Sequence, residues 1–167
     1  MGTPLDGVQV RIEDGEIQVR GPSVFAGYQP RPDAGAFVEG WFRTGDAGEW
    51  DDGYLKITGR KKDLVIVGGV NVSPAEVEEV LRHTPGVAEI GCCGLPDSDL
   101  NEVVAAAVVP DGSVGEAELR RNLEAAARER LSGLKRPRIW AIVPTLPRNA
   151  MGKLQRSEEH TSELQSR

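Results

Sequence analysis

The chain has 167 residues, a formal net charge of -6, and 28% charged but only 5% aromatic residues. That length is enough for one well-developed hydrophobic core or two small ones. The composition is typical of a soluble protein, so we expect a cytoplasmic location, and no apolar run is long enough to span a bilayer. No signal-peptide pattern opens the sequence. An acidic chain without a basic stripe is not expected to bind nucleic acid.

The first 60 residues have a β-rich pattern. Residues 8–12 and 17–19 alternate apolar and polar side chains, and the Asp-Gly pair between them favours a hairpin turn. Six aromatic residues between positions 25 and 50 then occupy a segment with little regular pattern. So many aromatic side chains need a partner surface that this segment does not supply. We therefore expect these residues to be the end of a larger domain.

Residues 59–78 organise the rest of the chain. Three cations at 60–62 precede a β-branched run, and the Gly68-Gly69 pair allows a tight turn with positive φ before a short second strand. The sequence Ser-Pro-Ala-Glu at 73–76 predicts a helix with proline in its first turn and a capping box. Cations clustered at a turn suit a phosphate-bearing ligand. A solvated turn before an ordinary strand explains them equally well.

The segment that follows has the pattern of a compact α+β unit. Apolar residues at helical spacing predict one helix over residues 73–83 and another that begins at a second capping box, Ser113-x-x-Glu116. The predicted strands are residues 87–95, 103–109 and 139–143. Two helices packed on a three-stranded sheet is the natural layering for these elements.

Cys92 and Cys93 are the two cysteines, and they are adjacent in an apolar run. Neighbouring residues of a strand point to opposite faces, so the two make poor disulfide partners. We expect them to pack in a core rather than to bind a metal or take part in redox chemistry. The sequence indicates no metal site.

Residues 157–167 differ from the rest of the chain. They are rich in Ser, Thr, Glu and Gln with one leucine, and cannot bury enough surface to offset the entropy of ordering. We expect this tail to be disordered. Residues 156–166 also look like the translation of a common sequencing adapter, so the tail is interpreted as an artefact and His160 is given no catalytic role.

Two polar segments carry candidate chemistry. Asp46 follows Gly45 in a predicted turn, where a carboxylate can accept hydrogen bonds from two vicinal hydroxyls of a ribose. An Asx turn accounts for this residue equally well. Residues 147–153 form a proline-led loop that ends in Gly152-Lys153, where an ammonium can neutralise charge on a phosphate or carboxylate. Most lysines are merely solvated, so this lysine alone indicates little.

Together with the sequence Gly-Glu-Ile-Gln-Val-Arg-Gly-Pro at 15–22 and the Gly27-Tyr28 pair, these segments closely resemble the adenylate-forming superfamily. This superfamily comprises acyl-CoA synthetases, luciferases and peptide-synthetase adenylation domains. The resemblance covers residues 1–156 and implies a two-step reaction. ATP and a carboxylic acid give an acyl-adenylate and pyrophosphate, and a thiol, usually that of coenzyme A, then displaces AMP to form a thioester.

The resemblance also implies a domain division. Residues 1–60 would be the C-terminal end of the large AMP-binding domain, and residues 61–156 the small lid domain, which leaves 157–167 as the tail. Lys62 would be the hinge about which the lid rotates between the two steps.

Individual site residues are implied in the same way. Asp46 would bind the ribose hydroxyls of ATP, and Arg60 would contact the same ribose and the phosphates. Lys153 would be the catalytic lysine that bridges carboxylate and α-phosphate oxygens in the first step. Gly68 and Gly69 would lie beside the tunnel for the pantetheine arm of CoA in the second step.

Several family motifs do not occur in this sequence. The Ser/Thr/Gly-rich phosphate loop and the aromatic-Gly-x-Thr-Glu motif, which contribute to ATP and Mg²⁺ binding, are missing, as is the large domain that forms the acyl pocket. We therefore expect a fragment of an ATP-dependent acyl-CoA ligase that is inactive alone and binds ATP, Mg²⁺ and CoA weakly. Two alternatives stay open: an adenylation domain that loads a carrier-protein thiol, and a non-catalytic interaction module. The sequence identifies neither the carboxylic acid nor the oligomeric state.

Overall fold

The computed structural model describes residues 1–27, 35–148, 150–151 and 154. The chain divides into two compact units, Met1–Lys62 and Asp63–Arg167. In the described residues each unit has a five-stranded sheet, and both α-helices lie in the second unit. This combination confirms the predicted α+β class. Neither of these helices is long and apolar enough to cross a membrane.

The first unit is an antiparallel sheet around one long strand. Its strands are β1 (Gln9–Glu13), β2 (Glu16–Arg20), β3 (Phe37–Val38), β4 (Trp41–Asp51) and β5 (Tyr54–Arg60). The order is β1-β2-β4-β3, and β5 also pairs with β4. A single 3-10 turn, Lys61–Asp63, follows β5.

Two tight turns set the register of this sheet. Asp14 and Gly15 join β1 to β2 with φ angles of 49° and 74°, and Asp52 and Gly53 join β4 to β5 with 47° and 81°. Paired positive φ values are those of the two-residue turns that match the twist of a hairpin, and Asp-Gly is a preferred sequence for them. The first of these hairpins was predicted from its Asp-Gly pair.

Several aromatic side chains of the first unit have partners within it. Phe25, Phe37 and Phe42 form a cluster, with ring centroids 5.0 to 5.8 Å apart. The guanidinium groups of Arg11 and Arg20 lie over the ring of Trp41, 4.7 and 4.6 Å from its centroid. The expectation that this segment supplies no partners was wrong for the three phenylalanines. The partners of Trp41 lie outside the segment, on β1 and β2, and Tyr28 lies outside the described residues.

The second unit combines a mixed sheet with two helices. Its elements are β6 (Val65–Val67), β7 (Val70–Val72), α1 (Pro74–Leu81), β8 (Val87–Asp97), β9 (Asn101–Pro110), α2 (Glu116–Arg130) and β10 (Ile139–Ile142). The central strand β9 is antiparallel to β8 and parallel to β10. A second 3-10 turn, Gly133–Lys135, lies between α2 and β10.

This sheet has two more strands than the sequence predicted. The three expected strands correspond to β8, β9 and β10. The hairpin of β6 and β7 joins them because Val67 pairs with Asn101 at the start of β9, and the Gly68 N–H donates to the Leu100 carbonyl at 2.8 Å. The predicted count of three strands is therefore not confirmed.

The helix starts agree with the prediction only in part. Helix α1 begins at Pro74 as expected, but Ser73, its N-cap residue, makes no side-chain capping hydrogen bond. Helix α2 begins at Glu116 with Gly115 as its N-cap, so the second capping box was wrong. Ser113 instead donates its N–H to the Asp111 carboxylate at 2.7 Å, in a turn that precedes the helix.

The core of the second unit lies between the helices and the sheet. Val77 and Leu81 of α1, and Leu119 and Leu123 of α2, are at most 1% exposed and pack in one cluster with the sheet. Burial of each such side chain stabilises the fold by about 1.5–3 kcal/mol. Cys92 is buried in this cluster, as predicted.

Candidate functional site

A cationic cleft lies in the first unit. It has a volume of about 430 Å³ and is lined by Glu16, Arg43, Gly45, Arg60, Lys61 and Lys62. Four of these six residues are cationic and one is anionic. Such an excess of positive charge, held at the end of β5 and the turn after it, favours an anionic ligand.

Arg60 lines this cleft and faces Asp46, which directly follows the lining residue Gly45. They are paired across the β4–β5 ladder, and the Arg60 Nε lies 3.0 Å from the Asp46 Oδ1. A second guanidinium nitrogen of Arg60 donates to the Thr44 carbonyl at 3.2 Å. The side chains of Asp46 and Arg60 are still 30% and 53% exposed, so both can also reach a ligand. The structure thus brings together the two residues that the sequence singled out for the nucleotide.

The backbone at Gly45 presents Asp46 differently from the predicted turn. Asp46 lies inside β4, in a bulge where Gly45 has a φ of 71° and the pairing with β2 shifts register. The Thr44 hydroxyl fixes this bulge, because it donates to the Ile17 carbonyl at 2.7 Å and accepts the Asp46 N–H at 3.0 Å. Extra residues in a strand turn side chains away from the regular alternation, which is why bulges often occur at sites.

Glu16 is the residue that sequence reasoning missed. Its side chain is only 4% exposed, and its Oε2 accepts two hydrogen bonds from Arg43, at 3.0 and 2.7 Å. Its Oε1 accepts the Gly45 N–H at 3.0 Å, and the Lys61 ammonium is 3.5 Å from Oε2. Burial alone would raise the pKa of this carboxyl, but the bonds from Arg43 and Gly45 and the charges of Arg43 and Lys61 lower it below its ordinary value.

Lys62 and the glycine hairpin occupy separate units. Lys62 lines the cleft and is the last residue of the first compact unit. Gly68 and Gly69 form the turn between β6 and β7 with φ angles of 57° and 82°, as predicted. A Cβ on Gly68 would lie 3.2 Å from a methyl group of Leu100, whereas a Cβ on Gly69 would meet nothing within 4 Å.

Lys153 lies outside the described residues, but Arg148 and Leu154, on either side of it in the sequence, are described. Arg148 and Leu154 form an antiparallel bridge. The Arg148 guanidinium is 2.5 Å from the Glu89 carboxylate on β8, and Leu146 is buried. A Cβ on Gly91 would lie 3.0 Å from Leu154, so this glycine gives room for the bridge to pack on β8. Among the described residues, no group of three or more His, Cys, Asp or Glu side chains is arranged to hold a metal ion.

Residues 76–153 match the family model for the AMP-binding enzyme C-terminal domain. Over these residues the chain is similar to the C-terminal domain of AMP-binding enzymes, and the paired Asp46 and Arg60 precede the matched range. The similarity to curated relatives and to solved structures extends over nearly the whole chain.

The chain is 45% identical over 168 residues to the 2-succinylbenzoate–CoA ligase of Bacillus licheniformis. The aligned residues make up 93% of this chain and 34% of the relative. It is also 45% identical over 161 residues to the 3-[(3aS,4S,7aS)-7a-methyl-1,5-dioxo-octahydro-1H-inden-4-yl]propanoyl:CoA ligase of Rhodococcus jostii, covering 93% of this chain and 31% of the relative. The o-succinylbenzoate CoA synthetase of Bacillus subtilis, solved with its acyl-adenylate intermediate, superposes with a TM-score of 0.81 at 38% identity, over 93% of this chain and 34% of that one. The chain therefore spans a third or slightly less of the length of these relatives.

Proposed function

We propose that this chain supplies the C-terminal part of an ATP-dependent acyl-CoA ligase. The complete enzyme would convert a carboxylic acid, ATP and CoA into acyl-CoA, AMP and pyrophosphate through an acyl-adenylate. The observation that carries the proposal is the Asp46–Arg60 pair at the cationic cleft, within a chain whose relatives are named CoA ligases. Those names also favour CoA over a carrier-protein thiol as the acceptor.

The pair has the chemistry needed to hold the nucleoside end of ATP. Arg60 binds one carboxylate oxygen of Asp46 and so fixes the orientation of the carboxylate. The exposed part of that carboxylate accepts hydrogen bonds from the two ribose hydroxyls. The exposed guanidinium nitrogens of Arg60 donate to the phosphate side of the same ligand. A neutral or acidic cleft could not serve a polyanionic nucleotide in this way.

The second unit is proposed to act as the lid. In the first step a carboxylate oxygen of the substrate attacks the α-phosphorus of ATP, and pyrophosphate leaves. Lys153 neutralises the charge on these oxygens. In the second step the CoA sulfur attacks the acyl carbonyl and AMP leaves, with Gly68 and Gly69 beside the pantetheine arm. The division of the chain into compact units after Lys62 supports a hinge at this residue, two positions beyond the boundary expected from the sequence.

Mg²⁺ is assigned to the part of the ligase that this chain does not include. The described residues offer no cluster of metal-ligating side chains, and the sequence lacks the motifs that contribute to Mg²⁺ binding in the family. The carboxylic acid substrate is left open for a similar reason. The two relatives at 45% identity are named for different acyl groups, so likeness over this part of the chain does not select one.

A lid exchange tests the proposed function. Residues 63–156 replace the corresponding part of the Bacillus licheniformis 2-succinylbenzoate–CoA ligase; we call this protein the lid-exchange ligase. A second protein, the two-unit-exchange ligase, carries residues 1–156 instead. Pyrophosphate release and thioester formation are measured separately with 2-succinylbenzoate, and the host without any lid is the control.

Thioester formation well above that of the lid-less host supports the proposal. A lid-exchange ligase that unfolds at the same temperature as the host, yet releases no pyrophosphate, contradicts it. If the lid exchange lowers the unfolding temperature, the two-unit-exchange ligase decides by the same two readouts. A pyrophosphate-release screen over short, long-chain, aromatic and malonate-type acids, with the complete natural protein, then identifies the carboxylic acid.

A further inference from the structure

We infer that Glu16 is a positioning residue for Asp46, which it orients through the Gly45 amide and the Arg43 guanidinium. The inference deepens the proposed function and rests on it, since it assigns a role in nucleotide binding to a residue that touches no ligand. The inference rests on the contacts of one buried carboxylate with donors in two different elements of the first unit.

The two oxygens of Glu16 have different partners. Oε1 accepts the Gly45 N–H, and Oε2 accepts both hydrogen bonds from Arg43 and faces the Lys61 ammonium. Gly45 and Arg43 belong to β4, on either side of Thr44, and Lys61 follows β5. One carboxylate therefore ties the bulge in β4, which carries Asp46, to Lys61, the residue directly after Arg60 at the end of β5.

A buried carboxylate is a costly way to achieve packing alone. Removal of an ionised group from water is unfavourable unless it is paired and fully hydrogen-bonded, and apolar side chains of similar volume often give equal or greater stability. The bonds of Glu16 do something that an apolar residue cannot. They hold the N–H of a glycine at positive φ, one residue before Asp46, and they hold two cations of the cleft at fixed positions.

The substitution Glu16→Gln separates this role from packing. Glutamine has nearly the same shape, but an NH2 group replaces one carboxylate oxygen. With its one oxygen turned to Arg43, which donates two hydrogen bonds, its NH2 faces Gly45 and cannot accept the Gly45 N–H. It also removes the charge that holds Arg43 and Lys61. Glu13→Gln is the matched control, because Glu13 is the direct cross-strand partner of Glu16 and loses the same charge. Its side chain is 52% exposed and pairs with Arg11, away from the cleft lining.

The first measurement uses the 167-residue chain and needs no catalysis. Amide hydrogen exchange is followed by NMR at Gly45 and Asp46 in the wild type, Glu16→Gln and Glu13→Gln. We expect Glu16→Gln to accelerate exchange at Gly45 by about tenfold or more, the order expected when a charge-assisted hydrogen bond is lost. Exchange in the core of the second unit and in Glu13→Gln should not change. Unchanged exchange at Gly45 in Glu16→Gln overturns the inference.

The second measurement separates binding from chemistry in the two-unit-exchange ligase. We expect Glu16→Gln to raise KM for ATP by about tenfold or more with a much smaller change in kcat, since a ribose contact acts on ground state and transition state alike. Glu16→Asp restores the charge at shorter reach and should recover part of the affinity. If the two-unit-exchange ligase is active but its Glu16→Gln and Glu13→Gln variants have the same KM for ATP, the inference is overturned and the proposed function stands. An inactive wild-type ligase counts against the proposed function, and the exchange rate of Gly45 then decides the positioning role.

Discussion

Arg60 lies directly opposite Asp46 in the β4–β5 ladder, with its Nε 3.0 Å from the Asp46 Oδ1. The carboxylate and the guanidinium orient each other, and both side chains remain partly exposed. An exposed ion pair of this kind contributes little to stability, roughly 0–1 kcal/mol. Its value lies in what the pair presents to a ligand, and its removal should therefore be visible in binding rather than in folding.

The first prediction concerns the carboxylate. In the two-unit-exchange ligase, Asp46→Ala should raise KM for ATP by roughly 10–100-fold, the effect of losing charge-assisted hydrogen bonds worth about 1.5–3 kcal/mol. The unfolding temperature should change by no more than a few degrees. The control is Asp51→Ala, at the exposed end of the same strand. Equal KM values for ATP in the two variants would show that Asp46 does not bind the nucleotide.

The second prediction separates the two half-reactions at Lys153. In the lid-exchange ligase, Lys153→Ala should raise the activation free energy of adenylation by about 3–4 kcal/mol, by analogy with a lost oxyanion donor. The variant should still convert supplied acyl-adenylate into thioester. Lys135→Ala is the comparison within the same unit, because this lysine is held in an ion pair with Glu76. Stopped-flow pyrophosphate release measures the first step, and thioester formation from synthetic acyl-adenylate the second. Equal losses in both steps would refute the assignment of Lys153 to adenylation.

The third prediction compares two glycines with nearly the same φ angle. Gly69 and Gly112 have φ angles of 82° and 81°, and a Cβ on either would meet nothing within 4 Å. Tryptophan at either site therefore carries a similar backbone strain, about 1–2 kcal/mol. Gly69→Trp should spare pyrophosphate release and block the use of CoA, whereas Gly112→Trp should leave both steps unchanged. Normal thioester yield in Gly69→Trp would exclude a pantetheine tunnel beside this turn.

Local features of the fold were predictable because their causes are local. An Asp-Gly pair specifies a two-residue hairpin turn, so the β1–β2 connection followed from the sequence. The Gly68-Gly69 turn and the start of α1 at Pro74 followed in the same way. The joining of the β6–β7 hairpin to the second sheet was not predictable, because the pairing of Val67 with Asn101 depends on how the hairpin docks on a distant strand.

The candidate site was predictable only where a residue type itself suggests chemistry. Asp46 and Arg60 were found from motif and charge. The bulge was missed because Thr-Gly-Asp has the same local pattern as a turn, and only the shift in pairing with β2 shows that β4 continues through it. Glu16 was missed because its partners Arg43 and Lys61 are 27 and 45 residues away in sequence. In the sequence it belongs to the motif at 15–22 that contributes to the resemblance, but nothing local assigns it a role.

The last prediction uses the lowered pKa of Glu16. Because the folded-state pKa lies below the ordinary value of 4.5, the ionised carboxylate stabilises the fold. That stability is fully present above the unfolded value and is lost as the pH falls from about 4.5 through the lower folded value. Urea unfolding of the chain between pH 7 and pH 3 should therefore show a steeper loss of free energy of unfolding in the wild type than in Glu16→Gln.

The comparison requires a control for the general effect of acid. Glu13→Gln removes a carboxyl from the neighbouring strand whose side chain is half exposed, and it should retain the wild-type slope below pH 4.5. If Glu16→Gln and the wild type lose stability in parallel over this range, the ionised Glu16 does not stabilise the first unit. The bulge that presents Asp46 would then be held by the Thr44 hydroxyl, through its bonds to Ile17 and Asp46.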